Sequence, residues 1–106
     1  AASCLLQPSR YEGFALPILE AMAVGIPGVI ADATCLPEVS AGVWPKVDPD
    51  DVQGWADAMD EMVLQAHVRE LATAAGLEHA AGFNWEKTAT LTGEFLQRAA
   101  QLGRRL

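Results

Sequence analysis

Basic residues are scarce in this chain: 7 Lys and Arg stand against 14 Asp and Glu, for a net charge of −7. Sequence-independent binding of nucleic acid requires a basic face, and an anionic membrane surface makes the same demand, so neither is an expected partner. Histidine is limited to His67 and His79, twelve positions apart and outside helical ligand spacing; packing or surface roles are expected, not metal binding. Cysteine is limited to Cys4 and Cys35, without metal-site spacing, and two reduced thiols are expected. The longest apolar run, Ala21 to Ala31, is broken by Gly25, Pro27 and Gly28 and is too short to span a bilayer. Ser3, Ser9 and Ser40 lack the setting of a nucleophile elbow. What is present in quantity is apolar sequence, 51% of residues against 20% charged, which describes a small globular domain rather than a disordered one.

The apolar residues fall into two periods. Cys4–Gln7 and Gly28–Ala31 are short runs bounded by proline and glycine, the pattern of strands buried on both faces. Between them, Leu16–Val24 predicts a helix, with Pro17 in the first turn, where a missing N–H costs nothing, and Gly25 just past its end. A helical turn is expected around Pro37-Glu38-Val39 and a weak edge strand at Val43–Val47, limited by Pro45. Three helices follow. The first, about Asp51–Gln65, is expected to be capped by Asp50 and to bury Val52, Trp55, Ala56, Met59, Met62 and Val63. The second, about His67–Ala81, turns Val68, Leu71, Ala72 and Ala75 inward. The third, Trp85–Leu102, is capped by Asn84 and carries a stripe of Leu91, Phe95, Ala99 and Leu102. Trp44, Trp55 and Trp85 read as core or interface anchors. Strands alternating with helices at this spacing predict an α/β fold with a parallel sheet. The chain enters its first strand almost at once, from Ala1, and a parallel strand needs neighbours on both sides. The expectation is therefore the second half of a larger α/β domain.

The chemistry concentrates where the first strand runs into the first helix. Gly13 permits a sharp turn and close backbone approach, and the amides of Phe14, Ala15 and Leu16 stand at a helix start, where unpaired N–H groups attract phosphate or sugar oxygens. Glu12 lies in that loop and Glu20 one turn into the helix, eight positions on; a carboxylate can accept two hydrogen bonds and so suits the vicinal hydroxyls of a ribose. Local chemistry alone leaves an ordinary strand–helix connection, with a dipole-favoured Glu20 and a solvated Glu12, as an equal reading.

The string Glu12-Gly13-Phe14-Ala15-Leu16-Pro17-Ile18-Leu19-Glu20-Ala21-Met22-Ala23 resembles the E-x7-E signature of retaining, nucleotide-sugar-dependent glycosyltransferases of the GT-B fold, family four. The likeness continues in order through Gly25-Ile26-Pro27, Asp32, Leu36-Pro37-Glu38-Val39, Val47-Asp48-Pro49-Asp50 and Phe83-Asn84-Trp85, nearly the whole chain. The resemblance implies a partial Rossmann-like donor domain, with a separate N-terminal domain outside this sequence holding the acceptor, whether glycan, lipid or small molecule. It implies a catalytic Glu12 on the donor's sugar hydroxyls, Gly13, Phe14, Ala15 and Leu16 presenting amides to sugar and diphosphate, and Glu20 on the ribose. It implies a nucleotide diphosphate sugar as donor substrate, no cofactor and no metal. It further implies a cytoplasmic enzyme, with any peripheral membrane attachment made through the other domain. Three departures stand out. Ala15 occupies a position where the family often has glycine, Trp44-Pro45-Lys46 replaces a small aliphatic strand, and Arg10 is the one basic residue near the motif. The family's phosphate-binding arginine and lysine would lie upstream. A non-catalytic binding module that keeps the donor-site shape is the alternative, and another GT-B protein, such as a nucleotide-sugar epimerase, is a lesser one.

Overall fold

The computed structural model describes residues 2–104; Ala1, in the expected strand approach, lies outside them. The element order is β1 (Leu5–Gln7), α1 (Leu16–Ala23), β2 (Gly28–Ala31), α2 (Leu36–Ser40), β3 (Lys46–Val47), α3 (Val52–Leu64), α4 (Ala66–Ala81) and α5 (Trp85–Gly103). The three strands form one parallel sheet in the order β1-β2-β3, with Leu5 opposite Gly28 and Ile30 opposite Lys46. This is the α/β architecture expected of half a Rossmann-like domain. The third strand is shorter than the expected Val43–Val47. Pro45 has no N–H to donate, and only its carbonyl joins the ladder, accepting from Ile30 N at 3.1 Å.

Helix α1 starts at Leu16, with Pro17 in its first turn, and ends where Gly25 takes φ 78°. The Gly25 and Ile26 amides then donate to the Met22 and Ala21 carbonyls, at 3.2 and 2.9 Å. These two bonds close a Schellman motif, which satisfies orphaned carbonyls and aims the chain into β2 through Pro27. Ile18, Leu19, Ala21 and Met22 form the buried face of α1, and Val29, Ile30 and Ala31 are sealed within the sheet. Trp44 covers the start of β2: a methyl group on Gly28 would come within 2.5 Å of its ring and 2.7 Å of the Leu5 carbonyl.

The later helices correct several expectations. Helix α3 is capped by Asp51, whose carboxylate accepts from Gly54 N at 2.9 Å, and not by Asp50. Val52 and Val63 lie exposed, while Ala58 and Met62 carry its buried side. On α4 the inward residues are Ala72, Gly76 and Ala80, and Leu71 is exposed. The reason is close approach: a methyl on Gly76 would sit 3.2 Å from Met22 Cγ, so α4 meets α1 through its smallest residues and larger ones are forced to the rim. Asn84 caps α5 as expected, accepting from Lys87 N at 2.7 Å. The stripe of Leu91, Phe95 and Leu102 exists but covers nothing; α5 has no buried residue, and Trp85 on its first turn is exposed. This helix stretches the chain to 58 × 27 × 20 Å and a radius of gyration of 17.1 Å, against about 13 Å for a compact chain of this length.

Candidate functional site

Parallel strands deliver their following loops to one edge, so residues 8–15, 32–35 and 48–51 all leave the carboxyl end of the sheet, where open α/β sheets hold ligands. Two contacts tie these loops together, and a third joins the end of β2 to β3. Arg10 in the first forms an ion pair with Asp50 in the third. Cys35 Sγ in the second lies 3.5 Å from the Glu12 carbonyl oxygen. Lys46 on β3 lies 4.0 Å from Asp32 at the end of β2. Both basic side chains near this edge are thus engaged by carboxylates.

The first loop carries the expected site residues. Glu12 is half-buried, and its Oε1 accepts from Ser9 Oγ at 2.8 Å and from Gln7 Nε2 at 3.0 Å. The amides of Gly13, Phe14, Ala15 and Leu16 have no hydrogen-bond acceptor among the described residues, which leaves a run of donors at the start of α1. Glu20 lies on the exposed side of α1, one turn beyond Leu16, with its carboxylate unpaired among the described residues. Glu12, Gly13, Phe14 and Ala15 therefore share one loop that runs into Leu16 at the start of α1, whereas no side-chain hydrogen bond or ion pair among the described residues joins Glu12 to Glu20. Sequence reasoning missed Gln7 and Ser9. The signal that could have found Ser9 is its spacing from Glu12, the Ser-x-x-Glu of reciprocal capping.

Two non-glycine residues on these loops have left-handed backbones: Ala15 at φ 65° and Thr34 at φ 48°. For Ala15 the conformation costs about 1–2 kcal/mol, so glycine there relieves strain. It also gives up a buried methyl, worth about 0.8 kcal/mol, and adds unfolded-state freedom worth roughly 0.5–1 kcal/mol. The terms nearly cancel. Ala15→Gly is expected to change the stability found by urea unfolding by less than about 1 kcal/mol, whereas Ala15→Val, β-branched at positive φ, should lose more than about 2 kcal/mol. A large loss in the glycine variant would show that the methyl, not the backbone, decides this position.

Asp48-Pro49-Asp50 is an Asp-x-Asp triplet, a spacing that can hold a metal, but here both exposed carboxylates are engaged by nearby protein groups: Asp48 Oδ1 accepts from Asp50 N at 2.8 Å, and Asp50 pairs with Arg10. Among the described residues no three His, Cys, Asp or Glu side chains gather closely enough to hold a metal ion. The hydrogen bond from Arg10, followed by its positive charge, holds the Asp50 carboxyl below the usual carboxylate range. A lowered folded-state pKa contributes stability above the unfolded value and loses it as pH falls through the folded one. The acid limb of the stability curve, below about pH 4, is therefore expected to flatten slightly in Asp50→Asn. Molar salt should flatten it similarly, because the pair is exposed. Urea midpoints between pH 5 and 2 would test this; an unchanged slope would mean that the exposed pair does not lower the Asp50 pKa on folding.

Elsewhere, His79 Nε2 lies 2.7 Å from the Val39 carbonyl oxygen and its ring stacks edge-on against Phe83, a packing role; His67 is exposed. Cys4 and Cys35 are free thiols, and burial pushes the Cys4 pKa up. An open cleft of about 510 Å³, bordered by Ser3, Gly25, Pro27, Val63, Arg69 and Leu77, lies at the amino ends of β1 and β2, opposite the loops described above. No described helix is long and apolar enough to cross a membrane.

Known proteins resemble this chain along most of its length. It is 46% identical over 96 residues to the O-antigen chain mannosyltransferase B of Escherichia coli, which covers 87% of this chain and 24% of that protein. It is 39% identical over 93 residues to the D-inositol 3-phosphate glycosyltransferase of Saccharomonospora viridis, covering 83% and 21%. A serotype-specific mannosyltransferase of Escherichia coli is 39% identical over 95 residues, covering 89% and 12%. The chain thus spans about a quarter or less of the curated relatives it matches. Residues 1–65, from β1 through α3, match the family described as Glycosyl transferases group 1, and the chain belongs to that family.

Proposed function

We propose that the chain is part of the donor-binding domain of a retaining glycosyltransferase, which transfers a sugar from a nucleotide diphosphate sugar to an acceptor hydroxyl. The observation that carries this reading is the run of unpartnered amides from Gly13 to Leu16, set at the start of α1 beside a carboxylate with one oxygen uncommitted among the described residues. Phosphate oxygens seek such amides, and sugar hydroxyls can donate to the carboxylate. In this reading Glu12 is the catalytic residue on the donor sugar, Phe14, Ala15 and their neighbours hold diphosphate and sugar, and Glu20 grips the ribose.

The leaving diphosphate gains charge as the glycosidic bond breaks, so fixed N–H donors aimed at it stabilise the transition state more than the ground state. No metal or other cofactor is part of this proposal. In this reading the cationic clamp on the phosphates and the acceptor-binding domain lie outside residues 1–106; Arg10 and Lys46 are paired with Asp50 and Asp32. The acceptor is a hydroxyl of a glycan, lipid or small molecule, and the reaction takes place in the cytoplasm or at its membrane face.

The test uses the full polypeptide of the gene that carries this chain, with GDP-mannose, UDP-glucose and UDP-N-acetylglucosamine as donors and product stereochemistry read by NMR. Transfer with the donor's anomeric configuration kept is expected from at least one donor; inversion would refute retention. Absence of binding to every nucleotide sugar would refute the donor-site reading itself. Glu20→Gln is expected to weaken binding of the free nucleoside diphosphate by about 1–3 kcal/mol, through loss of a charge-assisted bidentate contact. Unchanged calorimetric affinity would remove Glu20 from the ribose site.

A further inference from the structure

Glu12 is the end of a small, closed hydrogen-bond circuit. Gln7 Nε2 donates to Ser9 Oγ at 3.0 Å and to Glu12 Oε1 at 3.0 Å, and Ser9 Oγ donates to the same Oε1 at 2.8 Å. The donors and acceptors balance without remainder. The two amide protons of Gln7 go to two acceptors, the serine oxygen accepts one proton and gives its own, and the carboxylate oxygen takes two. The opposite amide orientation would set the Gln7 carbonyl against a carboxylate, so the assignment is fixed by the circuit. All three bonds spare Oε2, which has no partner among the described residues.

The circuit is anchored on the sheet. Gln7 is the last residue of β1 and sits opposite Ile30 in the sheet, and Ile30 is fully buried. The backbone of Glu12 is met from the other side by Cys35 Sγ on the loop after β2. A glutamate on an exposed loop would sample several rotamers and lose that freedom when a ligand arrived. Here one oxygen is already committed, so the free oxygen is oriented before any ligand binds; such preorganisation lowers the cost of binding and reaction.

We propose that Gln7 and Ser9 are positioning residues for Glu12, holding its carboxylate so that Oε2 faces the sugar of the donor. This rests on the donor-site reading above and adds to it the two side chains that set the angle of the acid. Neither touches substrate. Their effect therefore passes through Glu12, and it should vanish when Glu12 is absent.

The experiment is a double-mutant cycle in the full polypeptide, read by calorimetric affinity for two matched pairs of probes, GDP-mannose against GDP and UDP-glucose against UDP. Gln7→Met, which keeps the length of the side chain, and Ser9→Ala are each expected to lower affinity for the nucleotide sugar roughly tenfold. Affinity for the matching free diphosphate should stay unchanged, and Ser9→Thr, which keeps the hydroxyl, should restore sugar-dependent binding. In a Glu12→Ala background the same substitutions should have no further effect. Equal losses for nucleotide sugar and free diphosphate would overturn the proposal, since that is the mark of a general loop disturbance. So would losses that persist without Glu12, or full sugar-nucleotide affinity in both single variants. If Glu12→Ala alone leaves nucleotide-sugar binding untouched, the assignment of Glu12 to the donor sugar fails and the positioning role falls with it, whereas the donor-site reading fails only if no nucleotide sugar binds. If Glu12→Ala impairs binding while Gln7→Met and Ser9→Ala do not, only the positioning role is lost.

Discussion

Gly28→Val is expected to destabilise the chain by about 3 kcal/mol or more, toward the upper end of what overpacking a core costs. The position has no free side. A Cβ would lie 2.5 Å from the Trp44 ring and 2.7 Å from the Leu5 carbonyl oxygen, and the second of these is backbone. Relief requires either parting β1 from β2 at the Leu5–Gly28 register or ejecting a tryptophan that is only 3% exposed. Gly93→Ala provides the contrast. On α5 nothing stands within 4 Å of the added methyl, and alanine's helix propensity should leave stability unchanged or raise that of the helix by up to about 1 kcal/mol. Urea midpoints followed by tryptophan fluorescence would separate the two. A wild-type midpoint for Gly28→Val would mean that Trp44 and β1 yield freely.

Glu12→Ala should remove the largest single contribution of this chain to the proposed reaction. A charged acceptor on the donor sugar is worth about 1.5–3 kcal/mol, so kcat/KM for transfer by the full polypeptide is expected to fall by roughly ten- to 150-fold. The fall should include kcat, because Glu12 is proposed to contact the sugar, whose ring gains positive charge as the bond breaks. Glu20→Gln should act chiefly on nucleotide affinity. Steady-state kinetics with titrations of the free diphosphate distinguish the two acids, and equal losses in both measurements for both variants would contradict the division of labour.

Much of the fold was legible from local signals, and the errors have identifiable causes. β1, α1 and β2 are announced by apolar runs set off by Pro8, Pro17, Gly25 and Pro27, each acting within a few residues of itself. Asn84 caps α5 for the same reason. The cap of α3 sits one residue beyond its expected place because Asp50 and Asp51 are equivalent on paper. What separates them is Arg10, forty positions away, which draws Asp50 out of the capping role. The inward faces of α3 and α4 differ from the sequence pattern because a helical pattern ranks residues by size and polarity. The tight crossing of α4 on α1 selects Ala72, Gly76 and Ala80 instead, and leaves Leu71 at the rim.

At the candidate site the same division applies. The loop from Glu12 to Leu16 is a local string and could be read as one. The commitment of Glu12 to Gln7 and Ser9 depends on rotamers, and the ties from Cys35 and from Asp50 depend on three loops meeting at one edge of the sheet. Neither follows from spacing. The left-handed backbone of Ala15 was foreshadowed by the family's frequent glycine there, whereas that of Thr34 had no signal, since a β-branched residue is among the last expected at φ 48°.

The nineteen residues of α5 are expected to melt as a unit apart from the sheet. With no side chain buried, that helix rests on its own hydrogen bonds and on the Asn84 cap, so opening it costs little of the global unfolding free energy. Trp44, sealed at the sheet, and Trp85, exposed on the first turn of α5, therefore report on different cooperative units. Loss of helical circular dichroism should begin before Trp44 senses any change, and a single apparent Tm taken from helix content would average two transitions of unequal worth.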